Sequence, residues 1–444
     1  MKGMVIPMTD RSERYAQTLS KLIQKKTVSC RDQSDLSAFY AFQKLLRETF
    51  PHLFAVCETE DFSGGLLLRW RGRDDTKAPI MLMNHHDVVE AEGAWTYPPF
   101  SGTVADGKVW GRGAIDTKGG LFAMLQAADE LAQEGFVPAQ DVYFESARDE
   151  ENDSISADLI SRKLVRSGVR FSLVLDEGGM IEREPIAGAD GLFAMIGVAE
   201  KSYIDLKFTA RSSGGHASTP EKNTPLVRLG RFMAEVEDSD IFDVSLTPPV
   251  AEMLRRMAPT FSDERRSRFA DVSLAHDRAA LDALPSMLRA MTRTTLAFTM
   301  ARGSEGRNIL PQEAWVIGNM RASAHQGIDA SIAAARQLAE KYGLSVEILE
   351  DGFPAAVTDY RGVAFRRVER AVGAVCPDAI PVPYIMTGAT DARFMTRVSD
   401  NCLRFLPLRV SGEQHSRMHG VDENVDAAAL PIAVDFYKAI IRGE

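Results

Sequence analysis

Cysteine is scarce. The chain of 444 residues has only Cys30, Cys57, Cys376 and Cys402. They are scattered, and none forms a CxxC pair, so a disulfide framework is excluded and reduced thiols in a cytoplasmic setting are expected. Positive charge is in deficit as well: 52 Lys and Arg stand against 62 Asp and Glu, a net charge of −10. A nucleic-acid partner, which needs a basic face, is therefore not expected. No apolar run is long enough to span a bilayer, so no membrane association is expected. The opening MKGMVIPMTDRSERYAQ turns polar at once and does not read as a secretory signal. There is no internal repeat and no low-complexity segment. What remains is an ordinary globular composition, 45% hydrophobic and 26% charged, in a chain long enough for two domains.

Apolar runs alternate with helical stretches through the first half. Residues 10–26 read as an amphipathic helix with Tyr15, Leu19, Leu22 and Ile23 on one face. Strand-like IMLM, DVYFESA and FSLVLDEGG then alternate with helix-like GGLFAMLQAADELAQEG and SADLISRKLVRSG. That alternation predicts α/β units, a mostly parallel sheet flanked by helices. Near residue 198 the texture changes. SYIDLKFTAR alternates with period two, placing Ile204, Leu206 and Phe208 on one face of a half-solvated antiparallel strand. Helices are expected around 223–237, 250–257, 278–291 and 329–342, and strands at TTLAFTM, AWVIGNMRA and LSVEILE. The α/β texture returns after about 356, with helices near 361–373 and 427–442. The expectation is an α/β domain made of 1–197 and 356–444, with an α+β domain, 198–355, inserted into it.

The strand ends carry the chemistry. IMLM runs into Asn84-His85-His86-Asp87, KVWGRGAI leads to Asp116, DVYFESA is followed by Asp149-Glu150-Glu151, FSLVL by Asp176-Glu177, and VPYIM leads through TGAT to Asp391. In open α/β sheets ligands bind outside the carboxyl ends of the strands. Carboxylates crowded there repel one another unless cations hold them. Imidazole and carboxylate donors suit zinc or a similar divalent ion, and there are enough of them for two ions sharing one carboxylate. His85 and Asp87, two apart, project together, so His85 can ligate while Asp87 accepts its other ring N–H. Glu150 and Glu151 are adjacent, so if one ligates, its neighbour is left to move a proton. Each piece also has a plainer structural reading: an HxD turn, acidic residues at a helix N-terminus capped by Asp153-Ser154, a DEGG turn and a loop histidine.

Taken in order, NHHDVV, WTYPPFSG, DGKVWGRGAIDTKGG, ARDEEN, LDEGG, SSGGHASTP, GRNILP, TGATDAR and MHGVDE resemble the co-catalytic dinuclear zinc peptidase and deacylase family. That family includes aminoacylases, succinyl-diaminopimelate desuccinylase and dipeptidases, and the likeness is strongest to its carboxypeptidase S-like branch. It extends over nearly the whole chain. It implies that 1–197 and 356–444 form a catalytic metal-binding domain with two divalent ions per chain, Zn2+ with Mn2+ or Co2+ as alternatives, and that the inserted 198–355 is a lid and dimerisation domain through which a homodimer forms. His85 would bind the first ion with Asp87 orienting it, Asp116 would bridge, Asp176 would complete the first site, and Glu151 and His419 would hold the second. Glu150 would be the general base toward a metal-activated water, and the peptide bond after Asp116 would be cis. His216 would reach the partner subunit's site as an oxyanion donor. Asn308 and Arg321 would grip substrate, and Gly388, Thr390 and Arg393 would line its pocket. His86 fills a variable place, and His415 is a rival to His419. The expected activity is hydrolysis of an amide in a dipeptide, a peptide C-terminus or an N-acyl amino acid. The alternative is a metal-bound protein that captures such molecules without turnover, which the intact Asp-Glu-Glu run argues against.

Overall fold

The computed structural model describes residues 9–350 and 352–443, so the first eight residues of the opening segment read above lie outside the described residues. Its first helix, Asp10–Ile23, starts on a reciprocal cap: the Thr9 hydroxyl accepts from Ser12 N–H and the Ser12 hydroxyl accepts from Thr9 N–H. Tyr15, Leu19, Leu22 and Ile23 are its buried face, as the 3.6-residue period requires.

An eight-stranded sheet organises the larger body. Across it run Cys57–Phe62, Gly65–Trp70, Val142–Ala147, Ile80–His85, Leu173–Arg183, Cys402–Val410, Leu192–Glu200 and Ala379–Met386. The four strands at the centre, from Val142–Ala147 to Cys402–Val410, are mutually parallel. They read as unbroken apolar runs because helices cover both faces. Helix Lys118–Gln133 is buried along most of its circumference. It lies so close to the sheet that a Cβ at Gly120 would collide with Asn84 Oδ1 and Leu406. The register pairs His85 with Ala147 and Leu82 with Leu175, so these strands end at one level and deliver their following residues to one edge.

The smaller body is a four-stranded antiparallel sheet ordered Thr295–Arg302, Glu313–Ala322, Ser202–Arg211, Ser345–Glu350. Helices Pro225–Asp238 and Ile328–Lys341 pack on it through Leu229, Phe232, Ile332 and Ala335. Ile204, Leu206 and Phe208 face this separate core.

Two features depart from the sequence reading. First, the block 198–355 is not one body. Strand Leu192–Glu200 stays in the large sheet, and the segment from Leu246 to Met291 packs into the large core through Val250, Met253, Leu254, Met257 and Phe261. The spacing of helix Pro248–Met257 fixes its apolar face but not which body that face meets. Second, the helix expected over 278–291 is two short ones, Arg278–Asp282 and Ser286–Met291. Pro285, lacking an N–H, interrupts the ladder between them. No helix among the described residues is long and apolar enough to cross a membrane.

Candidate functional site

His85 ends its strand buried, and both ring nitrogens are engaged. Nδ1 lies 3.2 Å from Asp87 Oδ1 and 3.1 Å from the Asp87 carbonyl; Nε2 lies 3.0 Å from Asp116 Oδ1. Asp87 does more than orient this imidazole. Its Oδ1 accepts from Glu150 N–H at 3.2 Å, and its Oδ2 accepts from Glu151 N–H at 3.1 Å and from the Ser29 hydroxyl at 2.6 Å. One carboxylate thus fixes the strand end and the Asp-Glu-Glu turn together.

Asp116 follows the short strand Lys108–Trp110, and its peptide bond to Thr117 is cis. The Thr117 hydroxyl donates to the His85 carbonyl at 2.8 Å. The two Asp116 oxygens face two different imidazoles, Oδ1 toward His85 and Oδ2 toward His419 Nε2, each at 3.0 Å. His419 Nε2 is also 3.1 Å from Glu151 Oε2. Donor atoms of His85, Asp116 and Glu151 lie within 4.8 Å of one another, and so do those of His85, Glu150 and Glu177. Nitrogen and carboxylate donors in overlapping groups, with Asp116 between two imidazoles, fit divalent cation binding.

The electrostatics agree. Burial pushes Glu177 and Glu150 well above the usual carboxylate range, with Asp116 adding to the rise at Glu177 while His85 opposes it at Glu150. Glu151 is raised by burial and by Asp116. Burial works against a charged His85, yet Asp116 and Asp87 outweigh it and hold its pKa well above 6.5. Asp116, and then Glu151, lift His419 to about 10. These acids share too few protein cations for all of them to ionise comfortably, which a bound metal would relieve.

One expected ligand lies outside both donor groups. Asp176 turns away from the cluster: Oδ1 accepts from Glu177 N–H at 2.9 Å and Oδ2 from Ala392 N–H at 2.7 Å. Its neighbour Glu177 instead lies in a donor group that could hold an ion. Neighbouring residues on a strand face opposite sides, and nothing in LDEGG says which side meets His85. His415 is likewise elsewhere, its Nδ1 3.1 Å from Glu182 Oε2. His86 is core: it stacks on Phe42, bonds the Ser146 hydroxyl through Nδ1 at 2.8 Å, and burial lowers its pKa to about 3. The cap of helix Ile155–Arg166 also differs. Asp149, not Asp153-Ser154, accepts from Ile155 and Ser156 N–H at 2.9 and 3.1 Å.

The cluster floors a cleft of about 830 Å³ lined by Asp116, Glu150, Glu151, Glu177 and His419. Arg321, Gly388 and Arg393 line it too. The Arg321 guanidinium lies 4.5 Å from the Tyr203 ring centre, and its Nε donates to Asn319 Oδ1 at 3.0 Å. Thr390 does not line the cleft: its N–H and hydroxyl both reach Glu200 Oε2 at 3.0 Å. His216 and Asn308 are exposed on the smaller body and do not line this chain's own cleft.

Two features of the site were not foreseen. Ile155 and Leu159, one turn apart, leave apolar side chains 44% and 36% exposed in the cleft wall. The signal was there, since ISADLISRKLVRSG, residues 155–168, carries more apolar residues than one buried stripe needs. The other is Glu423, the last residue of MHGVDE, fully buried beneath Asp116 in a role that the motif alone did not assign.

The model of the peptidase family M20/M25/M40 matches residues 81–443. The chain is 29% identical to the probable carboxypeptidase S-like 2 of Dictyostelium discoideum, over 96% of this chain and 84% of that protein. It is 27% identical to the human N-fatty-acyl-amino acid synthase/hydrolase PM20D1, over 97% of this chain and 88% of that one. In fold it is similar to the M20 family metallo-carboxypeptidase Sso-CP2 of Sulfolobus solfataricus, with a TM-score of 0.71 at 15% identity over 98% and 99% of the two chains. Human carnosine dipeptidase 1 has the same fold, at a TM-score of 0.66 and 14% identity over 98% and 96%. With the metal-holding cluster at the floor of its cleft, the chain belongs to the peptidase family M20/M25/M40 and is a metal-dependent amide hydrolase.

Proposed function

We propose that the chain hydrolyses the amide of an N-acyl amino acid whose acyl part is apolar. Two divalent ions, zinc by the chemistry of the donors, would sit on His85, Asp116 and Glu177 and on Asp116, Glu151 and His419. When bound, they supply Lewis-acid polarisation of the carbonyl and acidify water.

The observation that carries this reading is the place of Glu150. It lines the cleft with its Oε2 4.0 Å from His85 Nε2, while Asp87 holds its backbone. From there its carboxylate can take a proton from the attacking water as the C–O bond forms. It then hands that proton to the nitrogen as the C–N bond breaks, so the products are a carboxylic acid and a free amine. A pKa raised by burial suits a group that must both accept and return a proton. Arg321 lines the cleft with its Nε held by Asn319 Oδ1, and its terminal nitrogens would receive the amino acid's carboxylate as a planar fork. Ile155 and Leu159, with Phe353 and Phe394 beside them in the cleft wall, would hold the acyl chain. The fatty-acyl activity in the human relative's name supports this choice over a dipeptide.

A homodimer through the smaller body belongs to the same proposal, with His216 and Asn308 serving the cleft of a second copy. Their exposure, away from their own chain's cleft, supports it. A cytoplasmic setting is also part of the proposal, in keeping with four free thiols.

The test is amine release by zinc-loaded protein from N-acyl amino acids of increasing acyl length and from dipeptides, with Glu150→Gln alongside. At ~0.8 kcal/mol per buried CH2, kcat/KM should rise about fourfold for each methylene that reaches the apolar wall. Glu150→Gln should lose ~10²–10⁴ in kcat while keeping its metal. A flat length profile or a preference for dipeptides would refute the acyl reading; full turnover by Glu150→Gln would refute the base.

A further inference from the structure

We infer that Glu423 is a positioning residue that locks the loops carrying Asp116 and His419 into one unit and thereby sets the affinity for the second ion. The inference rests on the two-ion reading above. The Glu423 side chain is fully buried, and each of its oxygens accepts twice. Oε1 takes Ile115 N–H at 2.8 Å and Asp116 N–H at 3.1 Å; Oε2 takes Gly113 N–H at 2.9 Å and Arg112 Nη1 at 2.8 Å. The same arginine reaches back through Nη2 to the Gly420 carbonyl at 2.9 Å, next to His419. The Glu423 carbonyl accepts from Gly111 N–H at 2.9 Å, and Asn424 pairs with Trp110 across an antiparallel ladder. Residues 420–424 therefore clamp residues 110–116 from one end to the other.

The consequence falls on the metal-holding group. Asp116 and His419 meet at 3.0 Å, yet each sits on irregular backbone, where no helix or strand fixes its direction. Asp116 has its own N–H held by Glu423, and His419 precedes that same glutamate by four residues. All four groups facing the carboxylate are N–H donors, which a carboxylate can satisfy at once. A glutamine there must turn its NH2 toward two of them. Glu423 touches neither the cleft nor any predicted ligand side chain, so its effect runs through the backbone it holds.

The experiment titrates zinc into wild type, Glu423→Gln and Asp422→Ala against a competing chelator, and measures kcat and KM separately at saturating zinc. Asp422 bonds Thr96 from the same loop and serves as the control. The expected result is two ions on wild type and on Asp422→Ala with similar affinities. Glu423→Gln should hold its second ion, which depends on both loops, at least tenfold more weakly and lose far less affinity for its first, with kcat falling more than KM rises. If Glu423→Gln does not fold, Arg112→Gln, which leaves the three backbone donors in place, is read by the same criteria. A folded variant that keeps both affinities, or that weakens both equally, overturns the inference and leaves the two-ion reading intact. A wild type that takes up a single ion overturns the two-ion reading and the inference with it.

Discussion

Replacing Glu177 by glutamine and, separately, Asp176 by asparagine distinguishes two carboxylates that adjoin in sequence but face opposite sides of one strand. Glu177 has a carboxylate oxygen within 4.8 Å of donor atoms on His85 and Glu150, at the floor of the cleft. Glutamine keeps its size and removes its charge. Groups that merely support a ligand alter metal affinity by about 10–100-fold, so loss of a ligand should cost at least about 100-fold, or about 2.8 kcal/mol at ~1.4 kcal/mol per tenfold. Asp176 instead spends its oxygens on Glu177 N–H and Ala392 N–H, at 2.9 and 2.7 Å. Asparagine keeps one acceptor oxygen and loses one charge-assisted bond, which costs about 1.5–3 kcal/mol of stability. Its metal affinity should stay within about tenfold of wild type. Zinc competition against a chelator measures the first quantity, and urea unfolding of metal-free protein measures the second. If Asp176→Asn loses the metal while Glu177→Gln keeps it, the assignment of Glu177 to the first ion is wrong.

Asp87→Asn should weaken metal binding by about 10–100-fold and reduce kcat, because the His85 ring and the Glu150 and Glu151 backbone all lean on that carboxylate; unchanged zinc affinity would count against it. On the proposed ligand set, binding must displace the proton that Asp116 and Glu151 hold on His419, whose pKa is raised to about 10. Zinc affinity should therefore rise with pH throughout the range below 10, by about tenfold per pH unit for each proton released; a competition titration from pH 6 to pH 8 that gives a level affinity would contradict it. Leu254→Ala should destabilise the larger body by ~2–5 kcal/mol, since this side chain is fully buried in the large core. A loss below ~1 kcal/mol in urea unfolding would contradict that placement.

Local patterns carried far. Period two in SYIDLKFTAR and the apolar runs ending in His85 and Glu150 follow from how far a strand or helix turns per residue, and they predicted strands where strands stand. The exits were expected to meet at one edge, and the parallel register brings His85 and the Asp-Glu-Glu turn there. Legibility stopped wherever a choice depended on what lies across a gap. Helix Pro248–Met257 shows its apolar face in sequence, but its partner, the large core and not the small one, is a matter of chain path. Asp176 and Glu177 are equivalent as letters, and only the sheet decides that Glu177 faces His85.

The sequence by itself determined the elements, the α/β class and the donor types, because propensity, periodicity and the chemistry of side chains are properties of neighbouring residues. Only the tertiary structure decided which donors converge. It set Asp116 between His85 and His419, turned Thr390 to Glu200, left Ile155 and Leu159 bare in the cleft, and closed Glu423 over the backbone of Asp116. These pairings join residues up to several hundred positions apart. A contact of that span is fixed by the packing of the whole sheet, which no window of sequence contains.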